Sequence, residues 1–379
     1  MTNNNEIRFN NLSLKRSPTS KKETLRAWDA ADEYVLDVIH EKNLIKANEN
    51  VLIFNDSFGA ICLSLCHLKT ANSITVMTDS INTENGIIEN AKNNNISFNL
   101  FNIINSLDTY SHVYNHIIIK PPKSLDALKY FISNVLPFTN KETNIMIAGM
   151  VKHMPKSLWS LLEENLGQTQ TSLTKKKAKI ISVKITKNTI TSNYPKTFLQ
   201  DNAFTIYNHA AVFSKASLDI GTRFLLENLP ELENINDIID LGCGNGVVGL
   251  NLSKQYPNAH ITFTDESYMA VASAKLTVQN NTNTMTNMDF KVKNCLDGFE
   301  SNSTDLIVCN PPFHQSQNIG IQIALNMFEQ SFKTLRKNGV FIVIANRHLP
   351  YFSHLKRIFN QVTTHASNKK FNVFLIKKA

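Results

Sequence analysis

Asp237-Ile238-Ile239-Asp240-Leu241-Gly242-Cys243-Gly244-Asn245-Gly246-Val247-Val248-Gly249-Leu250 is the stretch whose reading decides the fold. Asp237 to Leu241 reads as a buried strand and Val247 to Gln255 as a helix. The glycines between them let the chain turn sharply and let a ligand pass where a Cβ would stand. Downstream the pattern predicts strands over 261–265, 289–294, 305–310 and 340–346, with helices over 268–280, 321–335 and 351–359. Strands alternating with helices of this length imply a mostly parallel sheet covered on both faces. Two β-rich stretches at the end, 362–366 and 372–376, are joined by too short a loop for a parallel return, so they form an antiparallel hairpin at the edge.

The first half carries the same outline in weaker form: a strand at 51–54, a turn at 55–59, a helix at 60–67 and a strand at 73–78. A strand at 113–120 then runs into Pro121-Pro122, as 305–310 runs into Pro311-Pro312. The turn Asn55-Asp56-Ser57-Phe58-Gly59 keeps one glycine where its counterpart has three, and Lys120 stands where the other half has Asn310. The expected organisation is two tandem α/β domains: a degenerate one over 1–190 and one over 191–379 that retains the chemistry. A polar stretch at 186–195 lies at the boundary.

Three features carry that chemistry. A glycine turn after a strand is weak evidence alone, because dinucleotide-binding folds use one too. Asp265 ends the second strand roughly 20 residues later, where a carboxylate accepts hydrogen bonds from ribose hydroxyls; the other reading is a helix cap ahead of Ser267. Asn310-Pro311-Pro312-Phe313 ends the fourth strand on the same sheet edge. Its prolines stiffen the backbone, so that Asn310 Oδ1 and Pro311 O can accept both hydrogens of a planar amine while Phe313 stacks on a base. The bland reading is a strand-ending turn with a core phenylalanine. A hydride-transferring enzyme or a binding module would share the glycine turn but leave this tetrapeptide without a role.

Composition narrows the class further. The 379 residues, 42% hydrophobic and 18% charged, suit two soluble domains. The apolar runs are far below the roughly 20 residues that cross a bilayer, and residues 1–11 lack the apolar core of a secretory signal, so a cytoplasmic protein with no membrane partner is expected. Five cysteines (Cys62, Cys66, Cys243, Cys295, Cys309) lack paired metal-ligand spacing, so reduced thiols and no metal are expected. The net charge of +8 comes from 32 Lys and 7 Arg against 31 acids. It fits either a polyanionic partner or simple solubility.

At this point the chain resembles a known family. Asp240-x-Gly242-x-Gly244-x-Gly246 with Asn310-Pro311-Pro312-Phe313 looks like the class I, Rossmann-like methyltransferases that act on exocyclic or amide nitrogens. Val212-Phe213-Ser214, Leu218-Asp219-Ile220-Gly221-Thr222 and Asn310 to Gln315 resemble the bacterial ribosomal RNA guanine-N2 methyltransferases of the RlmG/RsmC group. Within that group, Ala27 to Tyr34, Asn55 to Ala60 and Ala345 to Leu349 resemble the large-subunit (23S rRNA) members, the small-subunit (16S rRNA) members being the alternative. Adenine N6 and a protein glutamine are more distant targets.

The resemblance implies S-adenosyl-L-methionine as methyl donor, with S-adenosyl-L-homocysteine as product. It implies that Asp240, Gly242, Gly244 and Gly246 line the methionine part, that Asp265 holds the ribose and that Asn294 contacts the adenine, where many relatives have an acid. Phe213, Ser214 and Gly221 would form a lid, and Asn310, Pro311, Pro312 and Phe313 would hold the target guanine. The partner it implies is ribosomal RNA, protein-free or incompletely assembled, met by a monomer. The first domain would grip that RNA, with Lys120, Lys123, Lys175, Lys176, Lys177 and Lys179 facing phosphates. For the run at 175–179 a solvated linker is the competing reading.

Overall fold

The computed structural model describes residues 12–17, 25–187, 189–200, 204–212, 217–312 and 317–379. The chain divides into two units, Met1–Asn193 and Tyr194–Ala379, each with its own sheet.

In the first unit the strands are β1 (Asn50–Phe54), β2 (Ser73–Thr78), β3 (Asn102–Asn105), β4 (His116–Ile119), β5 (Asn144–Met150), β6 (Thr169–Thr171) and β7 (Ala178–Val183). They form one sheet in the order β3-β2-β1-β4-β5-β7-β6. The first five run parallel, and β7 pairs antiparallel with both β5 and β6. Val51 to Phe54 are wholly buried, as a central parallel strand covered on both faces requires. The helices are α1 (Ala30–Glu41), α2 (Ala60–Leu68), α3 (Ile81–Asn93), α4 (Leu125–Val135) and α5 (Lys156–Asn165). Asp29 and Asp32 close a capping box on α1, and Ser80 and Ser124 cap α3 and α4.

The second unit opens with a hairpin, β8 (Lys196–Gln200) and β9 (Phe204–Asn208), followed by α6 (Ile220–Leu226). Its strands β10 (Asp237–Leu241), β11 (His260–Asp265), β12 (Met288–Val292), β13 (Thr304–Cys309), β14 (Leu335–Asn346), β15 (Gln361–Ser367) and β16 (Phe371–Lys377) lie in the order β12-β11-β10-β13-β14-β16-β15. This is the order of the first sheet position for position. β16 is antiparallel to both β14 and β15, so the edge hairpin expected from the short loop is present. The helices are α7 (Val247–Gln255), α8 (Tyr268–Gln279), α9 (Gln317–Thr334) and α10 (Tyr351–Ile358).

Both faces of this second sheet are packed. Ile238, Leu306, Val308, Ile342 and Ile344 meet Val247, Leu250 and Phe263 on one side, and Ile239, Leu241, Ile307, Phe341 and Val343 meet Met327, Phe328 and Tyr351 on the other. Each such side chain contributes roughly 1.5–3 kcal/mol of burial. The two layers hold the strand ends of β10, β11 and β13 in register, and the glycine turn leaves from that edge.

Several bounds differ from the sequence reading. The strand expected over 113–120 is only His116–Ile119, because Tyr114 turns inward and is fully buried, its N–H bonded to Phe138 O. β12 stops at Val292, and 293–297 is a turn with Cys295 at φ +51. The lysine run is not a linker. Lys175 and Ala178 exchange both backbone hydrogen bonds, so Lys176 and Lys177 form the two-residue tip of the β6–β7 hairpin.

Candidate functional site

The turn after β10 is fixed from behind by Thr264 O, which accepts from Gly242 N at 2.8 Å and Cys243 N at 3.0 Å. Gly242, Gly244 and Gly246 all take positive φ, at +75°, +54° and +79°. Beyond that conformation their needs diverge. A Cβ on Gly246 would lie 2.8 Å from Ala274 Cα, so this glycine lets α7 and α8 pack closely. A Cβ on Gly244 would meet nothing within 4 Å: its bare face looks onto open space. Gly249, on the first turn of α7, is as tightly required, since a Cβ there would strike the Phe263 ring at 2.2 Å.

Two acids brace this turn. Asp240 is buried, and its Oδ2 accepts from Gly249 N at 2.8 Å, so it ties the strand end to α7; burial pushes its carboxyl up to about 7. Asp265 accepts from Gly244 N at 3.0 Å through Oδ2 and from Ser267 N at 3.0 Å through Oδ1. Burial raises its pKa too, against the hydrogen bonds from these amides. The cap of α8 is Ser267, whose hydroxyl accepts from Ala270 N. Asp265 is therefore not the helix cap; it stands two residues earlier and binds the end of β11 to the glycine turn.

Asn310 follows β13 on the same edge. Its Nδ2 donates to Thr222 Oγ1 at 2.9 Å, while its Oδ1 is buried with no hydrogen-bond partner among the described residues. Thr222 is itself placed by the α6 cap, where Asp219 Oδ2 accepts from Thr222 N at 3.1 Å. With one end of the amide pinned, the oxygen is left as the free end. Pro311 is buried and Pro312 exposed. Gly221 packs near Asp219 and the Phe371 ring. Asn294 lies in the turn beyond β12, with its Nδ2 committed to Asp297 Oδ2 at 2.8 Å. Phe213, Ser214 and Phe313 lie outside the described residues.

The sequence reading passed over Thr222, Gly249 and the pair Asn208–Asn245, whose side chains join the end of β9 to the turn at 3.1 Å. Thr222 was within reach, since it directly follows Gly221 in a stretch already singled out. The others reveal themselves only through partners distant in sequence.

The corresponding edge of the first unit is occupied from within. Register places Lys120 after Ile119 beside Phe54, as Asn310 follows Cys309 beside Leu241. Lys120 Nζ lies 2.9 Å from Asp29 Oδ1 and 2.5 Å from Asp32 Oδ1, with the ammonium largely buried. Burial works against the charge, but Asp32 and Asp29 hold its pKa above the ordinary lysine value. Asp56 is buried beneath, accepting from Cys62 N at 2.7 Å, and burial together with the Asp32 charge pushes it up to about 7. Lys120 is thus withdrawn from the set of phosphate-facing lysines. Lys175 and Lys176 are half-committed as well, to Asp37 at 2.6 Å and Glu33 at 2.9 Å, both on α1. Lys123 and Lys177 are exposed, and Lys179 lies half-buried on β7 opposite Gly149.

A depression of about 480 Å³ opens elsewhere in the second unit, lined by Ile239, Thr262, Lys293 and Phe299 among others, and none of the turn glycines lines it. Among the described residues no helix is long and apolar enough to cross a membrane, and no group of three His, Cys, Asp or Glu is placed to hold a metal.

Residues 203–375 match the Methyltransferase small domain family, and residues 2–187 match the RLMG N-terminal domain family. The chain is 40% identical to the ribosomal RNA large subunit methyltransferase G of Psychromonas ingrahamii, covering 95% of each. It is 38% identical to the protein of that name from Pseudoalteromonas translucida, covering 100% of this chain and 99% of the other. Among solved structures, the T. thermophilus 16S rRNA N2 G1207 methyltransferase RsmC, in complex with AdoMet and guanosine, superposes with a TM-score of 0.76 at 17% identity. It covers 97% of this chain and 95% of its own, a likeness of fold.

Proposed function

We propose that this chain, which belongs to the ribosomal RNA large subunit methyltransferase G family, transfers a methyl group from S-adenosylmethionine to the exocyclic N2 amine of a guanine in 23S ribosomal RNA. The observation that carries the reading is the buried, partnerless Oδ1 of Asn310, held at its other end by Thr222. A buried acceptor left unpaired costs about 1–3 kcal/mol, and a donor on the substrate relieves that cost.

The residues fit a methionine-bearing nucleoside. Gly244 offers backbone that a side chain would obstruct, and Asp265 presents a carboxylate beside it, whose oxygens keep acceptor capacity beyond the backbone amides they bind. Bound there, S-adenosylmethionine supplies the electrophilic methyl on its sulfonium. We assign Gly242 and Gly244 to the methionine part, Asp265 to the ribose and the Asn294 turn to the adenine side. Asp240 and Gly246 act behind the turn, holding its shape. Asn310 Oδ1 and Pro311 O accept the two hydrogens of N2, drawing the delocalised lone pair toward an sp3 nitrogen aimed at the methyl. As the methyl's C–S bond breaks and the C–N bond forms, the nitrogen would gain positive charge and release one of its two hydrogens as a proton to water, leaving neutral S-adenosylhomocysteine, so no strong base is needed and orientation with fixed dipoles carries the acceleration. Phe313, next in the chain, is assigned to stacking on the base. The amine is out of reach inside a helix, so the guanine is taken unpaired or flipped, from RNA that is protein-free or incompletely assembled. The working unit is a monomer acting in the cytoplasm.

The test is transfer of labelled methyl to protein-free large- and small-subunit RNA, with the product nucleoside identified. Label should appear as N2-methylguanine in large-subunit RNA. Asn310→Ala should lower transfer by at least about 100-fold, the scale of a lost transition-state donor or acceptor, with donor affinity within about threefold of wild type. Label in adenine or in small-subunit RNA, or a loss confined to donor affinity, would refute the assignment.

A further inference from the structure

The exits of β4 and β5 and the entry of the antiparallel β7 are neighbours on one edge of the first sheet, and each carries lysines. Lys123 follows Pro121-Pro122 after β4, Lys152 sits in the short turn after β5, Lys156 opens α5, and Lys177 lies at the hairpin tip before β7. The segments are packed together: the Cβ position of Gly149 is 2.9 Å from Pro121 Cγ and 3.2 Å from Met154 Cγ, and Val151 N donates to Lys177 O at 2.9 Å. All four lysines are exposed, and none has an ion-pair partner among the described residues. The lysines read most readily from sequence, Lys120, Lys175 and Lys176, are instead bound to acids around α1.

From this geometry we propose that Lys123, Lys152, Lys156 and Lys177 form the surface by which the first unit grips RNA phosphates, an inference that rests on the ribosomal RNA reading above. Adjacent strands lie about 4.8 Å apart, so three neighbouring strand ends spread the ammonium groups along a line over which flexible side chains can follow a phosphate backbone. Lysines act as point charges and select no base, which suits a unit that positions RNA while the second unit chooses the guanine. The tip supplies a separate indication. A two-residue turn with positive φ at both positions favours Asn-Gly, yet Lys176 and Lys177 occupy it at φ +48° and +65°. Lys176 places its ammonium on Glu33, so Lys177 is the exposed lysine at this left-handed tip.

The experiment uses the full chain and protein-free large-subunit RNA. Replacing Lys123, Lys152, Lys156 and Lys177 together by Gln should weaken RNA binding at least about tenfold at physiological salt. It should also flatten the slope of log K against log salt by about three, at roughly 0.7–0.9 for each phosphate no longer neutralised. Affinity for S-adenosylhomocysteine should not change. A matched control removes Lys42, Lys69, Lys92 and Lys141, exposed at helix ends or ahead of β5 on the opposite edge, and should move the slope by less than about one. Lys177→Gly guards against misfolding: it relieves the turn, so melting temperature should hold or rise while the slope falls by about one. An unchanged slope in the quadruple variant, or an equal change in the control, would overturn the surface. Wild type that binds donor but neither binds nor methylates this RNA would instead overturn the target reading itself.

Discussion

Two copies of one sheet order have kept the same frame and diverged at a single edge. In both, a glycine at φ +79° starts the helix after the first strand, Gly59 and Gly246. In both, a buried carboxyl pushed up to about 7 accepts from the third amide of that helix. Yet the acid comes from different places: Asp240 from the strand end, Asp56 from inside the turn. The turn's first left-handed position is also kept, by Asn55 at φ +60° in place of Gly242. What the first unit lacks is the bare middle of the turn, where Ser57 stands for Gly244, and the unpaired amide, where Lys120 stands for Asn310. The lesson is that the frame survives on helix-capping and packing, while the two units differ in whether a few positions at the strand ends are left unsatisfied.

The largest expected effect on this comparison is Lys120→Ala. Removing the ammonium leaves the buried Asp32 beside the half-exposed Asp29 without their shared cation, which should destabilise the first unit by about 3 kcal/mol, the low end for a broken buried pair because water reaches Asp29. Donor affinity in the second unit should stay as it was. Denaturant unfolding with calorimetry on the same sample would check both, and a drop in donor affinity without a stability change would break the division of labour.

Next come the two glycines of the working turn. Gly246→Ala forces a Cβ against the backbone of α8 at positive φ and should cost about 2–4 kcal/mol of stability. Gly244→Ala has open space and should cost only about 1 kcal/mol in melting experiments, yet donor affinity should fall at least about tenfold. Equal effects on stability and binding in both variants would show that the turn does not separate packing from ligand clearance.

The smallest effect is a pH dependence. Asp56 has a folded-state pKa raised from 3.8 to about 7, so its contribution to stability is full below about pH 4 and is lost as pH rises toward 7. Asp56→Asn keeps an acceptor for Cys62 N without the charge. At pH 8 its melting temperature should exceed wild type by about 2 °C or more, the equivalent of roughly 1 kcal/mol, and below about pH 4 the gain should vanish. A gain of equal size at both values would mean that Asp56 is not the titrating group.

Much of the second unit was legible because its signals are contiguous. Asp240 to Gly246, Asp265 and Asn310-Pro311-Pro312 each report a strand end and its turn within a few residues, and parallel topology then brings those ends to one edge. What could not be read depended on distant partners. Lys120 reads as a free cation until Asp29 and Asp32, 91 and 88 residues away, are seen around it. Gly246 reads as ligand clearance until Ala274 is found against it. Asp265 reads as a ribose ligand with a helix cap as the competing reading, and the cap turns out to be held by Ser267. The lysine run resembles a linker by composition, since a two-residue turn with Lys-Lys at its tip lacks the Asn-Gly signature of a hairpin.

The central claim is that only the second of two like-folded units binds the donor, and titration calorimetry with S-adenosylhomocysteine on the intact chain tests it most directly. The account predicts one site per chain, weakened by Asp265→Ala and untouched by Lys120→Ala. Two sites per chain, or one site that survives Asp265→Ala unchanged, would contradict it.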